Sequence, residues 1–178
     1  MADRVLAAFG RVDIVVNDAA IFPRTAIVDL DFEEWQRVLA VNLSGPFLCT
    51  KAVLAGMIER RWGRVINVAS GLGLTGGVKA AAYSTSKGGL IAFTKSLARE
   101  VALLGITANV VVPGLADTRM PRQGGQTEAE LDAMVAQIPM KRLAKPREVA
   151  EFLAFIVGPS CDYVTGQTLF VNGGWLMP

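Results

Sequence analysis

The stretch Arg64-Val65-Ile66-Asn67-Val68-Ala69 is a short run of mostly β-branched and apolar residues, which is typical of a strand buried inside a sheet. Three further runs predict strands of the same kind, at Val12–Asn17, Ile106–Val112 and Gln167–Val171. Longer segments with helical patterning separate them. Short apolar strands that alternate with helices predict an α/β protein, built on a parallel sheet with helices on both faces.

The helical segments carry recognisable start and stop signals. Asp31, with Glu34 three residues later, predicts the N-cap of a helix that bends near Ser44-Gly45-Pro46 and continues to about Arg60. The other predicted helices are at 2–9, ended by Gly10, and at Ala80–Leu104, Thr127–Gln137 and Pro146–Val157. The polar, glycine-containing segment Leu115–Gln126 indicates a mobile loop.

Composition narrows the class of protein. The 178 residues are expected to form one domain, and they include no histidine and two cysteines, Cys49 and Cys161, far apart in the chain. We therefore expect neither a disulfide framework nor a metal site. The net charge of +2 and the placement of the basic residues favour solvated helix ends over a nucleic-acid surface. Because no unbroken apolar run reaches the roughly 18 residues of a membrane span, we expect a soluble, cytoplasmic protein.

Tyr83 and Lys87 stand four residues apart in a predicted helix, so their side chains project from the same face. A cation near a phenol favours the phenolate, so we expect Lys87 to lower the pKa of Tyr83 from its ordinary value of about 10. That would provide a proton donor and acceptor in a chain without histidine. The alternative is an ordinary helix with Tyr and Lys on its surface.

Further motifs follow one another in the order of a known family. They are Val16-Asn17-Asp18-Ala19-Ala20, Asn42, Ser70, Tyr83 with Lys87, Pro113-Gly114 with Thr118, and the closing Gly166-Gln167 to Gly173-Gly174. Over essentially the whole chain they resemble the short-chain dehydrogenase/reductase family. The resemblance implies a Rossmann-like, doubly wound parallel sheet and hydride transfer between NAD or NADP and an alcohol or carbonyl substrate.

The resemblance also implies a role for each motif residue. Tyr83 would be the general acid/base, Lys87 would lower its pKa and hold the nicotinamide ribose, and Ser70 would hydrogen-bond the substrate oxygen. Asn42 would support a water-linked proton relay to Lys87. The implied cofactor-binding residues are Asn17, Ala19, Tyr83, Lys87, Pro113, Gly114 and Thr118. Each has a structural alternative, since Ser70 could merely begin a loop and Asn42 could mark a helix irregularity.

Two departures from the family pattern concern the cofactor. Family members open with a strand, a glycine-rich T-G-x-x-x-G-x-G turn and a helix that holds the pyrophosphate, and nothing of this kind precedes Val12. By resemblance the sequence corresponds to a truncated member with about four strands retained. Asp18 and Ala20 also stand where the family usually has Asn and Gly. Asp18 replaces an amide donor with a negative charge, and Ala20 adds a methyl group close to the cofactor.

Several interpretations remain open at this point. The first is an active nicotinamide-dependent oxidoreductase; the second is a non-catalytic remnant that acts as an oligomeric scaffold or binding protein. In the third, a separate polypeptide supplies the missing half of the cofactor-binding site. A strand made for the middle of a parallel sheet would become an edge, so we expect Val12–Asn17 to be covered by another copy or by rearranged local structure. The small residues of Ala80–Leu104 match the family's helix-pairing interface, so we expect a dimer or tetramer.

Overall fold

The structure is a computed structural model, and it describes residues 1–122 and 127–178. Four parallel strands form one sheet in the order β1-β2-β3-β4. The strands are β1 Ile14–Asn17, β2 Gly63–Val68, β3 Ile106–Pro113 and β4 Thr168–Val171. All four lie where the sequence predicts them, with ends that differ by one or two residues, so the predicted parallel α/β sheet is confirmed.

The helices also follow the predicted pattern, with one addition. They are α1 Ala2–Phe9, α2 Phe32–Leu39, α3 Gly45–Arg60, α4 Leu72–Thr75, α5 Ala81–Val101, α6 Glu128–Val135 and α7 Pro146–Ile156. The short helix α4 is not anticipated by the sequence. As predicted, α2 is capped by Asp31, whose carboxylate accepts a hydrogen bond from the Glu34 amide. The predicted loop Leu115–Gln126 is described only in part, since residues 123–126 lie outside the described ranges.

The irregularity between α2 and α3 is a π-helical segment, Ala40–Ser44, that joins them into one long helical stretch. It begins four residues before the predicted bend at Ser44-Gly45-Pro46. Pro46 lies in the first turn of α3, directly after this segment. Because it has no N–H, it cannot donate a hydrogen bond back to the π-helical segment, yet the helical stretch continues through it.

The core lies on both faces of the sheet. Val65 and Ile66 are neighbours on β2 that point to opposite faces, and both are completely buried. On the Val65 face, residues of α3 and α5 such as Met57 and Leu97 pack against the sheet. On the Ile66 face, the cover comes from α7, including Ile156. This arrangement explains the short, continuously apolar strands and confirms the predicted helices on both faces.

The continuous helical stretch Phe32–Arg60 is long and apolar enough, by length and composition, to cross a membrane. Counting unbroken apolar runs misses it because charged residues interrupt it. In the fold, however, Val53 and Met57 of this stretch pack on the sheet. Core helices pass the same test of length and composition.

Strand β1 is one of the two edges of the sheet formed by the described residues, and β4 is the other. The partner of β1 on one side is β2, and no described strand pairs with its other side. Ile14 and Val16, which alternate along the strand, are 42% and 44% exposed. Within the described chain, therefore, nothing supplies the cover expected for Val12–Asn17.

Candidate active site

The carboxyl ends of the parallel strands bring the motif residues to one edge of the sheet. Asp18 follows β1, Ser70 comes soon after β2, and Gly114 follows β3. Helix α5 carries Tyr83 and Lys87 in its first two turns. Ligands of open α/β sheets bind outside the carboxyl ends of the strands, so this edge is the candidate site.

Lys87 is a buried cation, with 2% of its surface exposed. Its Nζ donates a hydrogen bond to the main-chain oxygen of Val68, at the end of β2, over 2.7 Å. Burial lowers the pKa of Lys87 to about 8, while the negative charge of Asp18 acts in the opposite direction. An ammonium group forms up to three hydrogen bonds, so two of its N–H groups remain for a ligand.

Tyr83 is also buried, at 6% exposure, and its phenol interacts with the nearby motif residues. Burial raises the pKa of Tyr83 above its ordinary value, a hydrogen bond with the Ser70 side chain lowers it, and the charge of Asp18 raises it. The expectation that Lys87 lowers the pKa of Tyr83 below its ordinary value is therefore wrong for this structure. The Lys87 Nζ lies 5.8 Å from the ring centroid of Tyr83, and loss of water around the phenol is the largest influence on its pKa. At neutral pH the phenol is protonated.

Ser70 begins the loop after β2, and its hydroxyl interacts with both Tyr83 and the local backbone. Its Oγ accepts a hydrogen bond from the Leu72 amide over 3.3 Å, at the start of α4. Helix α4 packs on α5 at Gly73 and Gly88, where a Cβ on Gly73 would lie 2.8 Å from the Gly88 nitrogen. This contact holds the serine loop against the helix that carries Tyr83.

Asn42 sits inside the π-helical segment and is completely buried. Its Oδ1 accepts a hydrogen bond from the Ile21 amide and its Nδ2 donates to the Ile21 carbonyl, both over 2.9 Å. The same Nδ2 donates to the hydroxyl of Ser86 on α5 over 3.1 Å. The Asn42 side chain thus anchors the loop after β1 to α5. Because the Asn42 side chain is engaged in these bonds, a water-linked proton relay to Lys87 would have to use main-chain atoms of this segment. This relay stays a prediction.

The Asn17 side chain belongs to a buried polar network. Its Nδ2 donates to Asn67 Oδ1 over 2.7 Å and to Thr50 Oγ1 over 3.2 Å, while Asn67 Nδ2 donates to Thr94 Oγ1 over 2.8 Å. These bonds join β1 and β2 to α3 and α5. Both hydrogen-bond donors of the Asn17 side chain are used in this network, so the predicted cofactor contact would use the other polar atoms of the residue.

The remaining predicted cofactor residues lie at the ends of β1 and β3. Ala19 is exposed beside Asp18. Pro113 ends β3, and the Gly114 amide donates to the Val171 oxygen over 2.9 Å. A Cβ on Gly114 would lie 2.7 Å from the Asn172 Cα, so this close approach requires glycine. Thr118 is exposed further along, and its contact with a cofactor stays a prediction.

Phe22 and Arg24 are site residues that sequence reasoning missed. The Phe22 ring stacks on the Tyr83 ring with centroids 4.1 Å apart and an interplanar angle of 26°. The Arg24 guanidinium lies 5.1 Å from the centroid of the Phe22 ring. Pro23 marks this segment as a loop, but no motif in the sequence connects the loop with Tyr83, 61 positions after Phe22.

The described residues fit the nicotinamide ribose end of a nicotinamide cofactor. Lys87 has two N–H groups to spare beside Tyr83, and Ala19 is exposed at the same edge. The ribose hydroxyls are suitable acceptors for such an ammonium group. Among the 178 residues there is no T-G-x-x-x-G-x-G turn, so we assign no contact to the pyrophosphate.

The fold and the site define a class of protein, an α/β oxidoreductase that carries a Ser-Tyr-Lys set at the carboxyl edge of a parallel sheet. The chain belongs to the short-chain dehydrogenase/reductase family. A family model described as enoyl-(acyl carrier protein) reductase matches residues 1–176.

Individual relatives share a more specific name. The chain is 44% identical over 169 residues to the 3-oxoacyl-(acyl-carrier-protein) reductase FabG of Vibrio cholerae, which covers 95% of this chain and 68% of that protein. It is 41% identical over 175 residues to FabG of Salmonella typhimurium, with 98% and 71% covered. The 3-oxoacyl-(acyl-carrier-protein) reductase of Synechocystis is 40% identical over 173 residues, with 97% and 68% covered.

Proposed function

We propose that this protein reduces the carbonyl group of a 3-oxoacyl chain held as a thioester on a carrier protein, with NADH or NADPH as the reductant. The names of the relatives support the substrate class. The observation that carries the reaction class is the set of Ser70, Tyr83 and Lys87, with the Tyr83 phenol held protonated by burial. The substrate partner is then more specific than a free alcohol or ketone.

The residues of the site supply the proton that a reduction needs. A reduced nicotinamide bound beside Lys87 and Tyr83 would supply the hydride that the carbonyl carbon accepts. Tyr83 donates its phenolic proton to the carbonyl oxygen, so that C=O becomes CH–OH. The Ser70 hydroxyl holds that oxygen beside the phenol. A phenol whose pKa lies above its ordinary value is protonated before the reaction, which suits the direction of reduction.

Lys87 has two tasks in this scheme. With a pKa of about 8 it is mostly charged at neutral pH, so it holds the ribose hydroxyls as a hydrogen-bond donor. Its charge also stabilises the phenolate that remains on Tyr83 after proton transfer, by Coulomb attraction in a buried setting. Return of a proton to Tyr83 through the Asn42 segment is part of the proposal.

A non-catalytic scaffold is the less favoured alternative, because the site carries a cost that a scaffold does not require. Burial of the Lys87 ammonium lowers its pKa, which means that the charged form is less stable in the fold than in water. One main-chain oxygen, that of Val68, is its hydrogen-bond acceptor in the described chain. Residues that lower stability in this way are typical of functional sites.

The supporting inferences concern location and assembly. Cys49 and Cys161 are both free thiols, which agrees with a reducing cytoplasm. A homo-oligomer remains our proposal from the exposed edge of β1 and the small residues of α5. No nucleic acid or membrane takes part in the proposed reaction.

The test is a pair of measurements on the purified chain. Binding of NADH and NADPH is titrated by cofactor fluorescence, and reduction of an acetoacetyl thioester is followed by loss of cofactor absorbance. We expect Tyr83→Phe to lower kcat by at least about a hundredfold, because general acid catalysis contributes about 10²–10⁴. Cofactor affinity should change little.

The chain offers a matched control, since its only other tyrosine, Tyr163, is fully exposed. Tyr163→Phe makes the same chemical change away from the site and should leave kcat unaltered. Failure to bind either cofactor at millimolar concentration contradicts the proposed activity. Turnover that survives Tyr83→Phe contradicts the assigned proton donor.

A further inference from the structure

The Phe22 ring covers one face of the candidate proton donor. It stacks on the Tyr83 ring at 4.1 Å, nearly parallel. Substrate therefore reaches the Tyr83 hydroxyl along the edge of the stack, with its substituents lying beside the Phe22 ring. A residue in this position forms part of the wall that selects the substrate.

The loop that carries Phe22 is held in place independently of its side chains. Asn42 binds both the amide and the carbonyl of Ile21, the residue directly before Phe22. Asn42 is completely buried and is also bonded to Ser86 on α5. The position of Phe22 over Tyr83 is thus part of a rigid arrangement, which is what a selective wall needs.

Arg24 adds a positive charge to this wall. The Arg24 guanidinium lies 5.1 Å from the Phe22 ring centroid, and Arg24 is partly buried. Within residues 1–122 and 127–178, Arg24 forms no ion pair or hydrogen bond. Its charge lowers the pKa of Glu130, but the Glu130 carboxylate is fully exposed and is bonded to the backbone and hydroxyl of Thr127. Within the described ranges, the hydrogen-bond donors of Arg24 are therefore available.

We propose that Phe22 and Arg24 are specificity-determining residues that select a carbonyl substrate bearing a carboxylate, such as an oxoacyl chain that ends in one. The proposal deepens the proposed function and rests on it for the reaction. Arg24 would bind the carboxylate through charge-assisted hydrogen bonds, which its planar guanidinium forms in pairs. Phe22 would lie against the methylene groups between the carboxylate and the carbonyl.

The distances set an upper limit on the length of the substrate. The Phe22 ring centroid lies 4.1 Å from the Tyr83 ring centroid and 5.1 Å from the Arg24 guanidinium. The guanidinium is therefore no more than about 9 Å from the Tyr83 ring centroid. A charge-assisted hydrogen bond takes up about 3 Å of this span. What remains fits an acid whose carboxylate stands roughly four bonds from the carbonyl carbon. 5-Oxohexanoate has this spacing, and its methyl ester is a neutral analogue of almost the same shape.

The experiment compares the acid with the ester in two independent measurements. The first is the ratio of kcat/KM for 5-oxohexanoate over its methyl ester. The second is the ratio of Kd values, by calorimetry, for 5-hydroxyhexanoate and its methyl ester, which needs no turnover. We expect the wild-type protein to favour the anion about tenfold or more in both, since a hydrogen bond to a charged group supports that much discrimination.

Three variants locate the effect. Arg24→Gln should bring both ratios close to one, and Arg24→Lys should retain part of the preference. Arg147→Gln removes an exposed arginine of α7 that pairs with Glu151, and it should leave both ratios unchanged. A Phe22→Ala variant should weaken binding of acid and ester alike, because it removes their shared apolar contact.

The outcomes separate this inference from the proposed function. Absence of an anion preference in the wild-type binding ratio overturns the inference, as does a preference that Arg24→Gln leaves intact. If no ketone is reduced but the binding preference depends on Arg24, the proposed reaction fails and the carboxylate-binding role of Arg24 is supported.

Discussion

The backbones of Gly73 and Gly88 approach so closely that neither residue has room for a side chain. A Cβ on Gly73 would lie 2.8 Å from the Gly88 nitrogen, and one on Gly88 would lie 2.9 Å from the Gly73 oxygen. Gly73 follows Ser70 by three positions and Gly88 directly follows Lys87. This contact therefore sets the distance between the Ser70 hydroxyl, the proposed substrate-binding group, and the helix that bears Tyr83, the proposed proton donor.

Alanine at either glycine should separate α4 from α5. We expect Gly73→Ala and Gly88→Ala each to lower the free energy of unfolding by about 1–3 kcal/mol, the usual effect of overpacking, and to lower kcat as Ser70 moves from Tyr83. Urea unfolding and steady-state kinetics check both effects. Gly45→Ala is the matched control, because its Cβ would make only an ordinary contact, at 3.5 Å from the Ala40 oxygen. Equal stability of all three variants would contradict the steric account.

Loss of the Asn42 amide should release the loop after β1. Asn42→Ala leaves the Ile21 amide and carbonyl and the Ser86 hydroxyl without this partner, so we expect about 2–4 kcal/mol of destabilisation. Hydrogen exchange at the Ile21 amide should become faster. Asn109→Ala is the control, since Asn109 is equally buried but bonds to Val164 and Gln167, far along the chain. Unchanged protection of Ile21 in Asn42→Ala would count against the anchor.

The buried Lys87 should make stability depend on pH. Its pKa of about 8 in the folded protein lies below the ordinary 10.5, so the unfolded chain binds the extra proton between these values. Stability therefore rises as pH increases through this window, and the full cost of burial is present below pH 8. Relative to Lys87→Met, we expect the wild-type free energy of unfolding to rise by about 2 kcal/mol from pH 7 to 9.5.

Urea titrations at the two pH values measure this difference. Lys95→Met, at an exposed position of the same helix, should show the wild-type pH dependence. Measurements stop at pH 9.5 because Tyr83, whose pKa is raised, has the opposite effect above pH 10: the folded state then keeps a proton that the unfolded state loses. If the free energy of unfolding changed equally with pH in Lys87→Met and wild type, burial would not lower the pKa of Lys87.

Neutralising Asp18 should lower the pKa of both neighbouring groups. The negative charge of Asp18 raises the pKa of Tyr83 and of Lys87, so Asp18→Asn removes the same influence from each. In a Tyr163→Phe background Tyr83 is the only tyrosine, and its ionisation can be followed by tyrosinate absorbance. Carbon NMR of the lysine side chains reports Lys87. Asp29→Asn, at an exposed loop position, serves as control, and an unshifted Tyr83 in Asp18→Asn refutes the electrostatic link.

The open edge of β1 should drive self-association. Unpaired main-chain groups along a strand with partly exposed Ile14 and Val16 form a template for pairing with another chain. We expect sedimentation at micromolar concentration to show a dimer or larger species, and Val16→Lys to shift it toward the monomer. Val28→Lys places the same charge at an exposed apolar residue of a loop and should have no effect. A monomeric wild-type chain rules out this route.

The strands and most helices could be predicted because their signals are local. Buried strands such as β2 need continuous apolar residues, and Asp31 and Thr127 mark helix starts through hydrogen bonds to a residue three positions on. Helix α4 escaped prediction because it has four residues and its N-cap residue, Gly71, has no side chain to cap it. Its position depends on the contact of Gly73 with Gly88, which no local pattern reveals.

The clustering of three residues of the candidate site could be predicted, but the electrostatics of the site could not. The motif spacing points to Ser70, Tyr83 and Lys87, and the structure brings them together. The direction of the Tyr83 pKa depends instead on how much water the fold excludes, and on Lys87 being turned toward Val68. Phe22 was missed because its contact with Tyr83 follows from the path of a loop, and that path is set by the distant Asn42.

The two hydrogen bonds between Asn42 and Ile21 have an evolutionary consequence. The hydrogen bonds of Asn42 go to main-chain atoms of Ile21, so a different side chain at position 21, proline excepted, leaves both of them possible. The adjoining positions 22 and 24 can then diversify while the reaction centre stays intact. A lineage with this arrangement can acquire new substrates by changing a few loop residues, and a protein engineer can use the same freedom by randomising them.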